Sequence, residues 1–191
     1  MRSSGSTPNR RRKGALRLFV VLAGEDHPKA CTGRRLLRWG RVIPVLREDA
    51  RFPPPVVLDP YSPKPLSWDD REAAEQGGLL VVDCSWNRLA DRGAFPGAGP
   101  ENRSRATHRR LPILIATNPQ HYGRVAQLNT VEALSAAVYL LGRVEEAAQL
   151  MDGFRGGDEF LEVNRDRLDR YRAAAGPAEV LVAEKVLFGG T

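Results

Sequence analysis

The sequence predicts an α/β protein in which a mostly parallel sheet, covered on both faces, is followed by an all-helical C-terminal part. Three observations predict it. Short apolar, β-branched runs alternate with helix-start signals along the first part of the chain. Those runs lack a strict in–out alternation, which is the habit of parallel strands buried on both faces. From Asn129 onward, apolar residues instead recur three and four positions apart.

Taken in order, the strand-like runs are Leu16 to Leu22, Arg41 to Val45, Val56 to Asp59, Leu79 to Asp83 and Leu111 to Ile115. Between them, Thr32-Gly33 opens a helix that Gly40 stops, and Ser67 with Asp70 opens another that ends at Gly77-Gly78. Asn129 with Glu132 forms a third start, and three amphipathic stretches follow, punctuated by Gly142, Gly156-Gly157 and Gly176-Pro177. The closing AEVLVAEKVLFGG fits either helix or strand. These readings divide the chain into a basic arm (1–14), an α/β domain (15–128) and a helical part packed on it (129–191).

A chain of 191 residues supports one substantial core. Its 29 Lys and Arg against 23 Asp and Glu leave a formal charge of +6, which favours a polyanionic partner. Cys31 and Cys84 form no CxxC pair, and His27, His108 and His121 lack metal-ligand spacing, so no metal site is expected. No apolar run approaches the roughly 18 residues of a membrane span, and no secretory signal precedes the first strand. A cytoplasmic protein with free thiols is the expectation. Residues Arg92 to Arg110, rich in Gly, Pro and Arg, read as a long basic loop.

Generic catalytic signatures are missing: there is no GxGxxG after a strand, no P-loop, no HExxH and no GxSxG, and Gly97 and Gly99 read as loop filler. Three segments nevertheless carry chemistry. In residues 27–40, HPKACTGRRLLRWG, a hydroxyl and a glycine stand at a helix start, where backbone N–H groups suit a carboxylate; Thr32 serves equally as a helix cap. In residues 81–90, VVDCSWNRLA, a buried strand ends at Asp83 with Trp86 three residues on. Ligands of open α/β sheets bind beyond such strand ends, where an acid holds an ammonium and an indole faces a sulfonium. A capping Asp and a core Trp are the plainer reading of that pair. In residues 111–134, a strand runs through Asn118-Pro119 and Tyr122-Gly123 into a capped helix, which makes either a ligand wall or a turn-rich connection.

Together with VVLDPYSPKPLSWDD, GGLLVVDCSW, RRLPILIATNP, LNTVEALSAAVYLLG and FRGGDEFLEVNRDRLDRY, these segments resemble the ribosome-biogenesis aminocarboxypropyltransferases of archaea and eukaryotes. The resemblance runs in order from about Leu18 to Tyr171. It implies a SPOUT-like fold with a trefoil knot at the cofactor pocket. It also implies S-adenosylmethionine as cofactor and transfer of its aminocarboxypropyl arm to small-subunit ribosomal RNA, at N3 of an N1-methylated pseudouridine in the eukaryotic case. On that resemblance Thr32 meets the cofactor carboxylate, Val82 the ribose, Asp83 and Trp86 the reactive arm and methyl, and Leu111 the adenine side. Ala126 and Thr130 add contacts, and Leu58 and Pro60 wall the base. Asp83 is also the nearest candidate for a catalytic base, although an anchoring role suits it better.

Arg34, Arg35, Arg38, Arg41, Arg103, Arg105, Arg109 and Arg110 are the candidates for leading RNA phosphates to the pocket. A monomer acting on small-subunit RNA or a pre-ribosomal particle is expected. Three departures from the family pattern stand out: HYGRVAQ places Val125 and Ala126 where an aromatic is expected, the loop from Arg92 to Arg110 is longer than usual, and residues 176–191 lie outside the resemblance. Two rivals stay open, an RNA methyltransferase of the same fold and a non-catalytic assembly factor.

Overall fold

The computed structural model of the protein describes residues 14–23, 31–45, 56–86 and 106–189. The basic arm up to residue 13, His27, Gly97, Gly99, Arg103, Arg105 and the basic loop before residue 106 lie outside the described residues. Five strands form one sheet: β1 (Leu18–Leu22), β2 (Ile43–Pro44), β3 (Val56–Leu58), β4 (Leu79–Asp83) and β5 (Thr107–Arg109). All neighbours are parallel, in the order β2-β1-β4-β3-β5. The register pairs Leu22 with Asp83 and Leu58 with Val81, so β1, β3 and β4 finish at one edge.

Both faces of the sheet are covered, as the unbroken apolar runs require. On one side Leu18, Val20, Val56, Leu58, Leu79 and Val81 join a core that continues through Leu36 and Leu134 to Val180. On the other, Val21, Val57 and Val82 pack with Leu80, Trp86 and Ala106. Burying a leucine such as Leu36 or Leu134 stabilises the fold by roughly 2 kcal/mol.

Seven α-helices complete the described chain: α1 (Thr32–Arg38), α2 (Arg71–Gly77), α3 (Thr130–Leu140), α4 (Val144–Met151), α5 (Gly157–Val163), α6 (Arg165–Ala173) and α7 (Pro177–Phe188). Helix α3 is apolar nearly all round and correspondingly buried along ten of its eleven residues. It is the central helix, between β4 and the helices that follow. The Asn129–Glu132 capping box forms as the spacing predicts, with the Asn129 side chain accepting from Glu132 N and Glu132 Oε2 accepting from Asn129 N. The ambiguous C-terminal stretch is helix α7, with Pro177 in its first turn, where the missing N–H costs nothing.

Three local expectations are corrected. Cys31, not Thr32, caps α1: its Sγ accepts from the Arg34 amide at 3.3 Å, and Thr32 is the first helical residue. The run Leu111 to Ile115 is not a strand of the sheet. Its polar backbone groups are taken by side chains of the C-terminal helices instead. Glu184 accepts from Ile113 N at 2.9 Å, Tyr171 donates to Ile113 O at 3.0 Å, and Asn164 pairs with both Ile115 N and O at 2.9 and 2.8 Å. The fifth strand comes earlier, from Thr107–Arg109, at the sheet edge.

Candidate active site

Asp83 ends β4 and is 6% exposed, a carboxylate buried at the carboxyl edge of the sheet. Its oxygens are gripped from two helices. The Cys31 thiol donates to Oδ2 at 2.6 Å, and the Thr130 hydroxyl, in the first turn of α3, donates to Oδ1. Gly33 in α1 lies so close that a Cβ there would stand 2.8 Å from Asp83 Cγ. Burial, reinforced by the hydrogen bond to Asp83, pushes the Cys31 thiol up to about 12, so it stays a protonated donor.

Trp86 stands just beyond, packed on Val21, Val57 and Val82, with its indole N–H donating to Leu128 O at 2.8 Å. That bond ties β4 to the loop of residues 118–129, which is braced from below by Glu132. Glu132, 1% exposed, accepts from Thr117 N and Asn118 Nδ2 at 2.8 and 2.7 Å besides its capping bonds. Within the loop, Gly123 N and Ala126 N donate to Ala116 O and Leu114 O. Ala126 adopts φ +60°, the left-handed conformation that a non-glycine residue reaches at a cost of roughly 1–2 kcal/mol. Its amide is thereby fixed against the opposite chain.

These parts enclose a cleft of about 1040 Å³, at the upper end of small-molecule sites. Leu58, Val82, Leu111, Ile113 and Ala133 give it apolar walls, while Thr32, Asp83, Asn129 and Thr130 cluster polar groups. A zwitterionic chain joined to a flat heterocycle fits that division. Asp59, also in the wall, is held by His108 Nδ1 at 2.9 Å and by Tyr61 N at 2.9 Å. Cations gather at the rim. The Arg35 guanidinium lies 4.5 Å from the Phe154 ring and 4.8 Å from the Trp39 ring and donates to Gly153 O, and exposed Arg155 also lines the cleft.

The profile of the family described as ribosome biogenesis protein, C-terminal, matches residues 56–188. The chain belongs to this family. Similar members include the 16S rRNA aminocarboxypropyltransferase of Methanopyrus kandleri, 45% identical over 91% of this chain and 99% of the relative. Another, of the same name, from Sulfurisphaera tokodaii, is 36% identical over 82% of this chain and 87% of the relative. Among solved structures, the SAM-dependent rRNA:acp-transferase Tsr3 from Vulcanisaeta distributa superposes with a TM-score of 0.75 at 32% identity. It covers 92% of this chain and 99% of that one.

In this ribosome biogenesis protein the residues marked by resemblance for the cofactor come together: Thr32, Leu58, Pro60, Val82, Asp83, Trp86, Leu111, Ala126 and Thr130 all line the one cleft. The arginines divide. Arg34 and Arg38 are exposed on α1, and Arg35 is at the rim. Arg41, Arg109 and Arg110 each hold partners within the protein, and Arg110 also lines the cleft. Arg41 donates to Leu150 O and Asp152 O at the end of α4, Arg109 pairs with Asp70 at 2.8 Å, and Arg110 makes a bidentate pair with Glu184 at 2.7 Å. The sequence reading missed Cys31, Asp59, His108, Glu132 and Arg155. Glu132 alone left a signal, its capping-box spacing, but its bonds to Thr117 and Asn118 are tertiary.

Proposed function

We propose that the protein transfers the 3-amino-3-carboxypropyl group of S-adenosylmethionine to a uridine-type base of small-subunit ribosomal RNA. The observation that carries this reading is the convergence of the DCSW strand end, the Thr32 helix start and the 118–130 wall on one cleft, in a chain 45% identical to a 16S rRNA aminocarboxypropyltransferase. We further propose N3 of an N1-methylpseudouridine as the acceptor, and a SPOUT-like, knotted threading of the loops around the cleft. The parallel sheet and the cleft built from loops far apart in sequence support that threading.

S-adenosylmethionine supplies a sulfonium whose attached carbons are already electrophilic, so the chain's work is placement. Asp83 suits the ammonium of the arm: each of its oxygens accepts one internal donor and has room for another. Thr32 offers a hydroxyl for the carboxylate. Trp86 walls the methyl side, Leu58 and Pro60 wall the base, Val82 takes the ribose, Leu111 takes the adenine side, and Ala126 and Thr130 close the pocket. Because Asp83 is buried and bonded on both oxygens, anchoring is its role in this reading, and it is not the base. Arg34, Arg35, Arg38 and Arg155 receive the RNA backbone at the rim. The enzyme acts as a cytoplasmic monomer on the small subunit or its precursor.

Small-subunit RNA lacking the modification, incubated with the protein and S-adenosylmethionine, should yield on digestion a nucleoside heavier by one aminocarboxypropyl group. A nucleoside heavier by one methyl would establish the methyltransferase instead. RNA carrying pseudouridine with and without its N1-methyl tests the acceptor: equal rates on both would remove the methyl from the substrate definition.

A further inference from the structure

We infer that Cys31 is a positioning residue that sets the Asp83 carboxylate for the amino-acid arm of the cofactor. The inference rests on the reading that Asp83 binds that arm. One sulfur makes two directed contacts: it accepts from Arg34 N at 3.3 Å, which caps α1, and its single proton goes to Asp83 Oδ2 at 2.6 Å. The start of α1 and the carboxylate are thereby coupled through one atom. Thr130 holds the other oxygen from α3, and Gly33 packs against the Asp83 side chain, so the carboxylate is fixed from three sides by two helices.

Removing the thiol leaves Asp83 a single side-chain donor and frees its torsion, and the gap beside Oδ2 admits water. The anchor then survives without its orientation. The thiol keeps its proton at every physiological pH, since burial and the Asp83 bond raise it to about 12. It therefore remains a donor and never presents a nucleophilic thiolate beside an electrophilic ligand. Cys31 itself stays out of the cleft wall, which is why its effect must pass through Asp83.

Two neutral probes separate this role from a structural one. S-adenosylhomocysteine carries the amino-acid arm, and 5′-methylthioadenosine has the same nucleoside and thioether without it. Calorimetric titration of Cys31→Ala should show S-adenosylhomocysteine affinity falling roughly tenfold or more, the scale of one hydrogen bond to a charged group. Methylthioadenosine affinity should be unchanged. Cys31→Ser, which keeps both the donor and the cap, should restore binding, and Thr130→Val should repeat the selective loss. Equal loss for both probes, or no loss for either, would overturn the positioning role. Asp83→Asn tests the parent reading: if it leaves the ratio of the two affinities unchanged, Asp83 does not hold the arm. If Asp83→Asn is selective and Cys31→Ala is not, only the inference about Cys31 fails.

Discussion

Replacing Glu132 by glutamine tests how the cleft wall is held. Glu132 is 1% exposed, and its Oε1 accepts from Thr117 N at 2.8 Å and Thr117 Oγ1 at 3.2 Å. Its Oε2 accepts from Asn118 Nδ2 at 2.7 Å and Asn129 N at 2.9 Å. Glutamine has the same shape but one oxygen and one NH2, so either orientation turns the NH2 toward donors. Turned toward Asn118 and Asn129, it orphans two of them, and Asn118 cannot flip without breaking its Oδ1 bond to His121 N at 3.0 Å. Turned toward Thr117, it orphans one backbone amide, while the Thr117 hydroxyl still reaches Gly156 O at 2.9 Å. The second orientation is cheaper and costs about 3 kcal/mol, one charged-acceptor bond plus one buried unsatisfied amide. For a domain of this size that lowers Tm by roughly 6–12 °C. Thermal and urea denaturation measure it, and S-adenosylmethionine affinity should fall as the 118–129 wall loosens. A loss below about 1 kcal/mol would refute the reasoning, because it would mean that water satisfies these donors.

Gly33→Ala should gain helix propensity worth roughly 0.5–1 kcal/mol yet weaken S-adenosylmethionine binding, because the new Cβ stands 2.8 Å from Asp83 Cγ. Calorimetry finding unchanged affinity would show that Asp83 yields freely. The Cys31 thiol ionises near 9.0 unperturbed and near 12 in the fold, so the unfolded chain loses that proton first. Its contribution to stability is complete below pH 9 and declines as pH rises toward 12, with buried Tyr171 and Tyr139, also raised, adding to the decline. Urea midpoints at neutral and alkaline pH should show the fall, smaller in Cys31→Ser, and identical slopes for both proteins would contradict it. Replacing Arg34, Arg38 and Arg155 together with alanine should reduce the salt dependence of RNA binding by up to about three counterions. The same changes at Arg109 or Arg110 should instead lower Tm, since those guanidiniums pair with Asp70 and Glu184. An unchanged salt slope in the triple variant would remove these residues from the RNA footprint.

The central strand β4 was legible because LLVVD is apolar on both faces, and β1 for the same reason. The edge strand β5 carries Thr-His-Arg, which has no apolar signature and lay hidden in an arginine-rich stretch. Residues 111–115 misled in the opposite way. They are apolar, but Pro112 lacks an N–H, and Asn164, Tyr171 and Glu184 supply partners that no local pattern reveals. At the site, the abrupt strand end marked Asp83 and Trp86 only as one reading beside a capping Asp and a core Trp, the family resemblance supplied their roles, and their surroundings left no signal. The contact of Cys31 with Asp83 spans 52 positions and that of Trp86 with Leu128 spans 42, distances over which spacing carries no information.

The central claim is that the arm, and not the methyl, leaves the cofactor. Two preparations of S-adenosylmethionine, one labelled in the methyl and one in the carboxyl carbon, incubated separately with the protein and unmodified small-subunit RNA, test it most directly. The carboxyl label alone should enter RNA, at a rate cut sharply by Trp86→Ala and Asp83→Ala. Methyl label in the RNA would contradict it, as would absence of both labels on RNA that a related enzyme modifies.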